Sequence, residues 1–310
     1  MQVKNTKKNK NILILGGLGS IGLEISKKFY DNDYNIEIID KKKITIQNKK
    51  KYYFLDKIKY YKINLIKNKI KIDLSNFDFI IYSIGLTTHI ENTNNNKKTI
   101  GSNLISSLNF LSSKSLKKFK GKMIYFGSTH QYGNIIKISE GACFQPLDYQ
   151  SISKCSSEYF FKKCSSDFKF NLLILRFPNI YGFKDNIQKN DQGLFLNLIN
   201  QAKSQKKIHL FDSRRFRHFL HIDDLKDILY EIIDNKIFIN ELNIKGQKIL
   251  IKKVAKIIAN ETKAKIIFHK MPVEYRKISI NNQIISTKVF NKYFKMYKFK
   301  DIKKYIKKLL

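Results

Sequence analysis

The chain has 310 residues, 43% of them hydrophobic, and no apolar run of transmembrane length; a disordered chain and a membrane-spanning one are both set aside. Its net charge is +35, but only five of the 60 basic residues are arginine, and the lysines run evenly along the chain among Asn and Ile. That is a compositional bias rather than a binding stripe, so no specific nucleic-acid partner is expected. Cys143, Cys155 and Cys164 lack metal-ligand spacing, which predicts no metal and reduced, cytoplasmic thiols. The basic N-terminus MQVKNTKKNK lacks the long apolar region of a signal peptide.

Asn11–Leu15 (NILIL) is predicted to be a buried parallel strand. Gly16, Gly19 and Gly22 follow, then a helix over Leu23–Tyr30 and a second strand, Ile36–Ile39, ending at Asp40. In that order the glycines permit a tight turn, close approach of backbone to a pyrophosphate, and close packing of helix on sheet. Backbone N–H groups at the helix start, around Ser20 and Ile21, can bind the phosphates. Asp40 stands 21 residues beyond Gly19, where a carboxylate accepts both ribose hydroxyls of an adenosine. Lys41–Lys43 could instead answer a 2′-phosphate, but Asp40 repels one, so NAD is expected over NADP.

A third strand is predicted over Tyr60–Leu65, with Asn64 and Leu65 at an adenine edge. The fourth, Phe77–Ile84, ends at Gly85, where a dinucleotide can approach. Thr87–Lys98 has no periodicity and reads as a mobile loop; Asn103–Leu111 reads as a helix. A fifth strand, Gly121–Phe126, leads into Ser128–Gly133, and a helix over Asp148–Lys163 carries Lys154. Phe170–Phe177 is the sixth strand. Strands alternating with helices predict an α/β fold, a doubly wound parallel sheet of Rossmann type over residues 1–177, with ligands beyond the C-terminal strand ends. From residue 178 the pattern loosens into a smaller mixed α/β lobe, with about 216–246 returning to the first domain. That lobe contains helices over Leu194–Lys203 and Leu250–Asn260, and short strands at Ile208–Phe211 and Leu242–Lys245.

These landmarks together resemble the extended short-chain dehydrogenase/reductases, specifically their nucleotide-sugar epimerase/dehydratase group, over nearly the whole chain. The glycine motif and Asp40 match. So do Asn103 to Leu111 (N-x-x-G-T-x-N-x-L, with Ser106 and Ser107 substituted) and Ser128 to Gly133 (S-x-x-x-Y-G). Leu175 to Gly182 matches L-R-x-x-N-x-Y-G, and Arg217 to Asp224 matches R-D-F-x-H-V-D-D with His218 for the first Asp. The resemblance implies NAD as cofactor, held also by Asn103 and Lys154, and a nucleotide-diphosphate sugar as substrate. It puts Ser128, Asn179 and Arg217 on the substrate side, with Arg217 gripping the diphosphate. It implies hydride passing between a sugar carbon and the nicotinamide, and a homodimer is expected.

In that family a Ser or Thr, a Tyr, and a Lys four residues after the Tyr act at the sugar hydroxyl. Ser128 and Lys154 match the first and third, and Glu158 follows in register. The residue four before Lys154 is Gln150, which cannot give up a proton. Tyr149, five back, is rotated about 100° away on an ideal helix. Three readings stay open: Tyr149 swings in through an irregular first turn after Pro146, His130 is the base, or the chain binds without ordinary turnover. Thr129 and His130 stand where 4,6-dehydratases carry an Asp–Glu pair, which argues against that chemistry.

Overall fold

A computed structural model describes residues 10–86, 96–183, 193–211, 214–280 and 282–310. In chain order it runs β1 (Asn11–Leu15), α1 (Ser20–Tyr30), β2 (Asn35–Asp40), α2 (Ile46–Lys51), β3 (Lys59–Lys62) and β4 (Phe79–Tyr82). There follow α3 (Asn96–Ile100), a π-helical turn at Gly101–Ile105, α4 (Ser106–Leu111), β5 (Lys122–Ser128), β6 (Lys137–Ile138) and α5 (Tyr149–Phe168). Next come β7 (Asn171–Phe177), β8 (Asn179–Tyr181), α6 (Gly193–Gln205), β9 (Lys207–Phe211) and β10 (Phe216–His221). The chain goes on through α7 (Ile222–Asp234), β11 (Glu241–Asn243), β12 (Gln247–Leu250), α8 (Ile251–Thr262), β13 (Lys265–His269) and β14 (Ile284–Ile285).

Seven strands form one sheet in the order β11-β7-β5-β4-β1-β2-β3, every neighbouring pair parallel. This is the doubly wound Rossmann-type α/β sheet that the sequence predicts. Its strands are apolar along their length because both faces are covered. Ile12 and Ile14 pack with Phe29 of α1 and Ile228 and Ile232 of α7. Leu13 and Leu15, pointing the other way, pack with Phe110 of α4 and Phe161 of α5. A separate core joins α6, β9, β10 and α8 with the last helix, Ile302–Leu309. Among the described residues no helix is long and apolar enough to cross a membrane.

Several boundaries differ from expectation. β3 stops at Lys62, and Leu65 lies in a turn with its side chain in the core and its carbonyl taken by Asn109 Nδ2 at 2.8 Å. Asn64 Oδ1 accepts the Ile66 N–H at 3.1 Å. Local side-chain bonding therefore ends the strand early. Of the expected loop Thr87–Lys98, residues 87–95 lie outside the described residues, and the rest belongs to α3. The helix expected at Asn103 opens with a π turn, so Asn103 sits at a break in the i→i−4 ladder.

Candidate active site

The glycine turn leaves β1 at Gly16, whose φ of +79° suits only a residue without a Cβ. A Cβ on Gly22 would lie 2.4 Å from the Gly16 carbonyl, so α1 and the turn touch there. A Cβ on Gly19 would meet only that same carbonyl, at 3.1 Å; it would project into open space above the turn. Ser20 and Ile21 form the first turn of α1, whose N-cap is Gly19 with no side-chain cap. Asp40, buried at the end of β2, accepts the Leu18 N–H at 3.0 Å and the Lys42 N–H at 2.9 Å. A helix N-terminus with no side-chain cap from Gly19, space over Gly19 and a carboxylate bonded to the same turn fit a dinucleotide and its ribose.

Across the sheet, β4 and β5 end beside Lys154. Its side chain is buried, and Nζ donates to Phe126 O at 2.9 Å and, at 3.4 Å, to Ile84 O. A Cβ on Gly85 would lie 2.9 Å from Lys154 Nζ and 3.3 Å from Asn103 Oδ1. Asn103 clamps the next residue: its Oδ1 accepts Leu86 N–H at 2.7 Å and its Nδ2 donates to Leu86 O at 3.1 Å. Within the π turn the Asn103 carbonyl accepts from the Ser107 and Ser157 hydroxyls at 3.0 and 2.6 Å. Gly85, Asn103 and Lys154 therefore meet, as the sequence suggests. Leu65, buried in the core, does not present its side chain to them.

Burial pushes the Lys154 ammonium down to about 8, against the opposing pull of Glu158. Lys122, at the other end of β5 with Nζ on Ile237 O, is also pushed down to about 8 by burial. In the unfolded chain both keep their protons to near 10.5. Between about 8 and 10.5 the unfolded state thus binds more protons, and stability rises with pH. Above 10 the buried Tyr82 and Tyr125 hydroxyls, raised by burial, reverse the sign: the folded state then holds more protons. Urea midpoints measured from about pH 7 to about pH 11 should climb, peak near 10 and fall; a flat or declining course below pH 10 would contradict the burial of these lysines.

Ser128 closes β5 and caps the 3₁₀ turn Thr129–Tyr132; its Oγ accepts the His130 N–H at 3.2 Å. The Ser128 N–H is held by Gln131 Oε1 at 2.7 Å, and Gln131 Nε2 donates to Glu158 Oε2 at 2.9 Å. Glu158 in turn accepts from Arg176, both side chains fully buried. The turn is thus anchored to a buried ion pair, a connection between distant residues that sequence spacing does not reveal. Thr129, His130, Asn179, Arg217 and Gln283 line one small cavity beside this turn. Arg217 also lines a larger cavity of about 210 Å³, bounded by Leu194, Asn197, His209 and Phe211. Its Nη1 donates to Phe216 O at 3.0 Å and its Nη2 to Ile280 O at 2.9 Å.

The first turn of α5 is regular. Asp148 caps it in a capping box with Ser151, so Tyr149 and Gln150 are its first two residues. No irregular turn brings Tyr149 inward, and its side chain is 51% exposed. Gln150, half-buried, stands one helical turn before Lys154.

The profile of the NAD dependent epimerase/dehydratase family matches residues 12–244. The fold is similar to that of the UDP-N-acetylglucosamine 4-epimerase from Methanobrevibacter ruminantium M1, at 18% identity over 97% of each chain and a TM-score of 0.80. It is similar also to TunA, an NAD dependent NDP-hexosamine 5,6-dehydratase of tunicamycin biosynthesis, at 17% identity over 97% and 96% of the chains with a TM-score of 0.80. The UDP-glucose 4-epimerase of Thermotoga maritima is similar at 18% identity over 96% of each chain, with a TM-score of 0.78. No curated protein matches the sequence. The profile match spans most of the chain and includes the glycine turn, Asp40, Ser128 and Lys154, and NAD is the cofactor these fit: the chain belongs to the NAD dependent epimerase/dehydratase family.

Proposed function

We propose that the chain is a nucleotide-sugar epimerase or 4-keto-sugar oxidoreductase that passes hydride between a sugar carbon and NAD. The observation that carries this reading is Lys154: a buried ammonium fixed on two strand-end carbonyls, beside Gly85 and Asn103. NAD, when bound, supplies the hydride acceptor and donor. Ser128 Oγ accepts from the His130 N–H, which leaves its own proton free to donate to a sugar oxygen. Lys154 supplies positive charge near the hydroxyl that loses its proton. Gln150 orients that hydroxyl but takes no proton, so the half-buried His130 imidazole, on the cavity wall, is the acceptor. Thr129 and His130 offer no carboxylate for a 4,6-dehydration.

Arg217 lines both the small cavity and the 210 Å³ cavity, which supports a role for it at the diphosphate, between sugar and nucleoside. Arg217→Ala should weaken sugar-nucleotide binding about tenfold to a hundredfold, the worth of one charged hydrogen bond, with NAD affinity unchanged. Calorimetric titration of both ligands tests this, and equal loss of both would sink the assignment. Gln150 favours a second reading, a dinucleotide-binding protein without turnover; it predicts that no sugar nucleotide reduces bound NAD.

We read the chain as a cytoplasmic homodimer. All three cysteines are free thiols. On α5, Ile152, Tyr159 and Phe160 are 46%, 58% and 45% exposed, at spacings that share one helix face. Such a face asks for a partner, and a second copy supplies the same face in return. Sedimentation should give a dimer, and Phe160→Glu a monomer; a monomeric parent at micromolar concentration would remove the idea.

A further inference from the structure

The polypeptide returns to the candidate active site close to its C-terminal end. β14 pairs in parallel with β6, with Ile284 N–H on Ile136 O at 2.6 Å and Ser286 N–H on Ile138 O at 2.8 Å. Just before it, Gln283 is buried, and its side-chain amide nitrogen donates to Thr129 O at 3.2 Å and Gly133 O at 2.9 Å. Two carbonyls face this atom, so it must be the NH₂ end of the side chain. These carbonyls belong to the turn that carries Ser128 and His130. On the other side the segment is pinned to β10. Gln283 O meets His218 Nε2 at 3.0 Å, Asn282 Oδ1 accepts the Phe216 N–H at 3.0 Å, and Ile280 O accepts from Arg217 and Arg215.

We infer that Gln283 is a positioning residue, holding the Ser128–Gly133 turn at a fixed offset from Arg217. This rests on the proposed role of Arg217 at the diphosphate. With the diphosphate anchored there, the sugar hydroxyl reaches Ser128 only if the turn keeps its place; a displacement of about 1 Å costs on the order of a hundredfold in rate. No apolar side chain can replace the amide, because both of its bonds to the turn would be lost. A glutamate cannot replace it either, since a carboxylate has only acceptors; protonated, it has a single O–H to offer.

The test compares Gln283→Leu and Gln283→Glu with the parent, as full-length chains loaded with NAD. Hydrogen exchange is followed at the amides that close the turn, His130 and Gly133, bonded to Ser128 Oγ and His130 O. Steady-state rates are taken with whichever sugar nucleotide the parent turns over. Gln283→Leu should speed exchange at the turn by about tenfold, the loss of one net hydrogen bond, with β1 and β4 unchanged. Its kcat should fall at least about tenfold while KM stays within about twofold. Compared with the parent at each pH, Gln283→Glu should show the same defect at neutral pH and recover in part as pH falls, whereas the defect of Gln283→Leu should not change with pH. Unchanged exchange at the turn overturns the inference, as does an equal rise throughout the sheet. If the parent turns over no sugar nucleotide, the hydride reading fails by itself, and the exchange measurements alone decide the role of Gln283.

Discussion

Gln150→Tyr should raise hydride transfer by about a hundredfold or more, the usual worth of a positioned general acid or base. The phenol would stand one helical turn before Lys154, whose ammonium lies buried on Phe126 O and Ile84 O. Positive charge at that point lowers a tyrosine hydroxyl from its usual value near 10, so the pH profile of the variant should gain an acid limb below that value. The gain must disappear in Gln150→Tyr combined with Lys154→Met, because the ammonium supplies the shift. Lys154→Met alone should remove whatever transfer the parent shows. Tyr149→Phe should have little effect, since Tyr149 is exposed at the outer start of α5. Stopped-flow absorbance of reduced nicotinamide checks all four. Loss of activity in Tyr149→Phe, together with impairment by Gln150→Tyr, would show that Tyr149 is the base.

The largest loss of stability is expected at Arg176. Its guanidinium is 1% exposed and donates to Glu158 through Nε at 3.0 Å, to Tyr132 OH at 2.7 Å, and to Glu241. Lys162 pairs with both carboxylates from the partly exposed side. Arg176→Met would leave the fully buried Glu158 with only Lys162 and Gln131 as partners, at a cost of up to about 3–5 kcal/mol. A domain has on the order of 5–15 kcal/mol to lose, so the variant should unfold at a much lower urea concentration. Adding Glu158→Gln should recover part of the loss, because a neutral amide needs no counter-charge. Urea titrations of the three proteins measure this. A midpoint for Arg176→Met within error of the parent would mean that the ion pair is not buried as the structure has it. Activity should fall with stability here, since Glu158 holds Gln131 and Gln131 holds the Ser128 N–H.

What could be read from sequence was local. Asn11 to Asp40 is one strand, turn, helix and strand, and its periodicity and glycine positions follow from short-range sterics. Ser128 and Lys154 were legible because a strand end and a helix register fix them. The expected end of β3 at Leu65 was too late, because Asn64 bonds its own backbone and the strand stops at Lys62, a choice that apolar pattern does not record. The π turn at Asn103 has no periodic signature either, and the hydroxyl of Ser157, 54 residues away, is one of the groups bonded to its carbonyl. Gln283 and the Arg176–Glu241 contact join residues 150 and 65 positions apart. A buried polar residue has no periodic signature, and two-residue strands such as β6 and β14 are too short to show one.

The decisive measurement is a single-turnover experiment. The NAD-loaded parent and Gln150→Tyr are each mixed, without oxygen, with a panel of nucleotide-diphosphate sugars while reduced nicotinamide is recorded. Slow reduction in the parent by at least one sugar nucleotide, and faster reduction by the same compound in Gln150→Tyr, is the expected result. If both proteins bind NAD and a sugar nucleotide yet neither ever reduces the nicotinamide, the site is a binding site alone, and the proposed hydride chemistry is wrong.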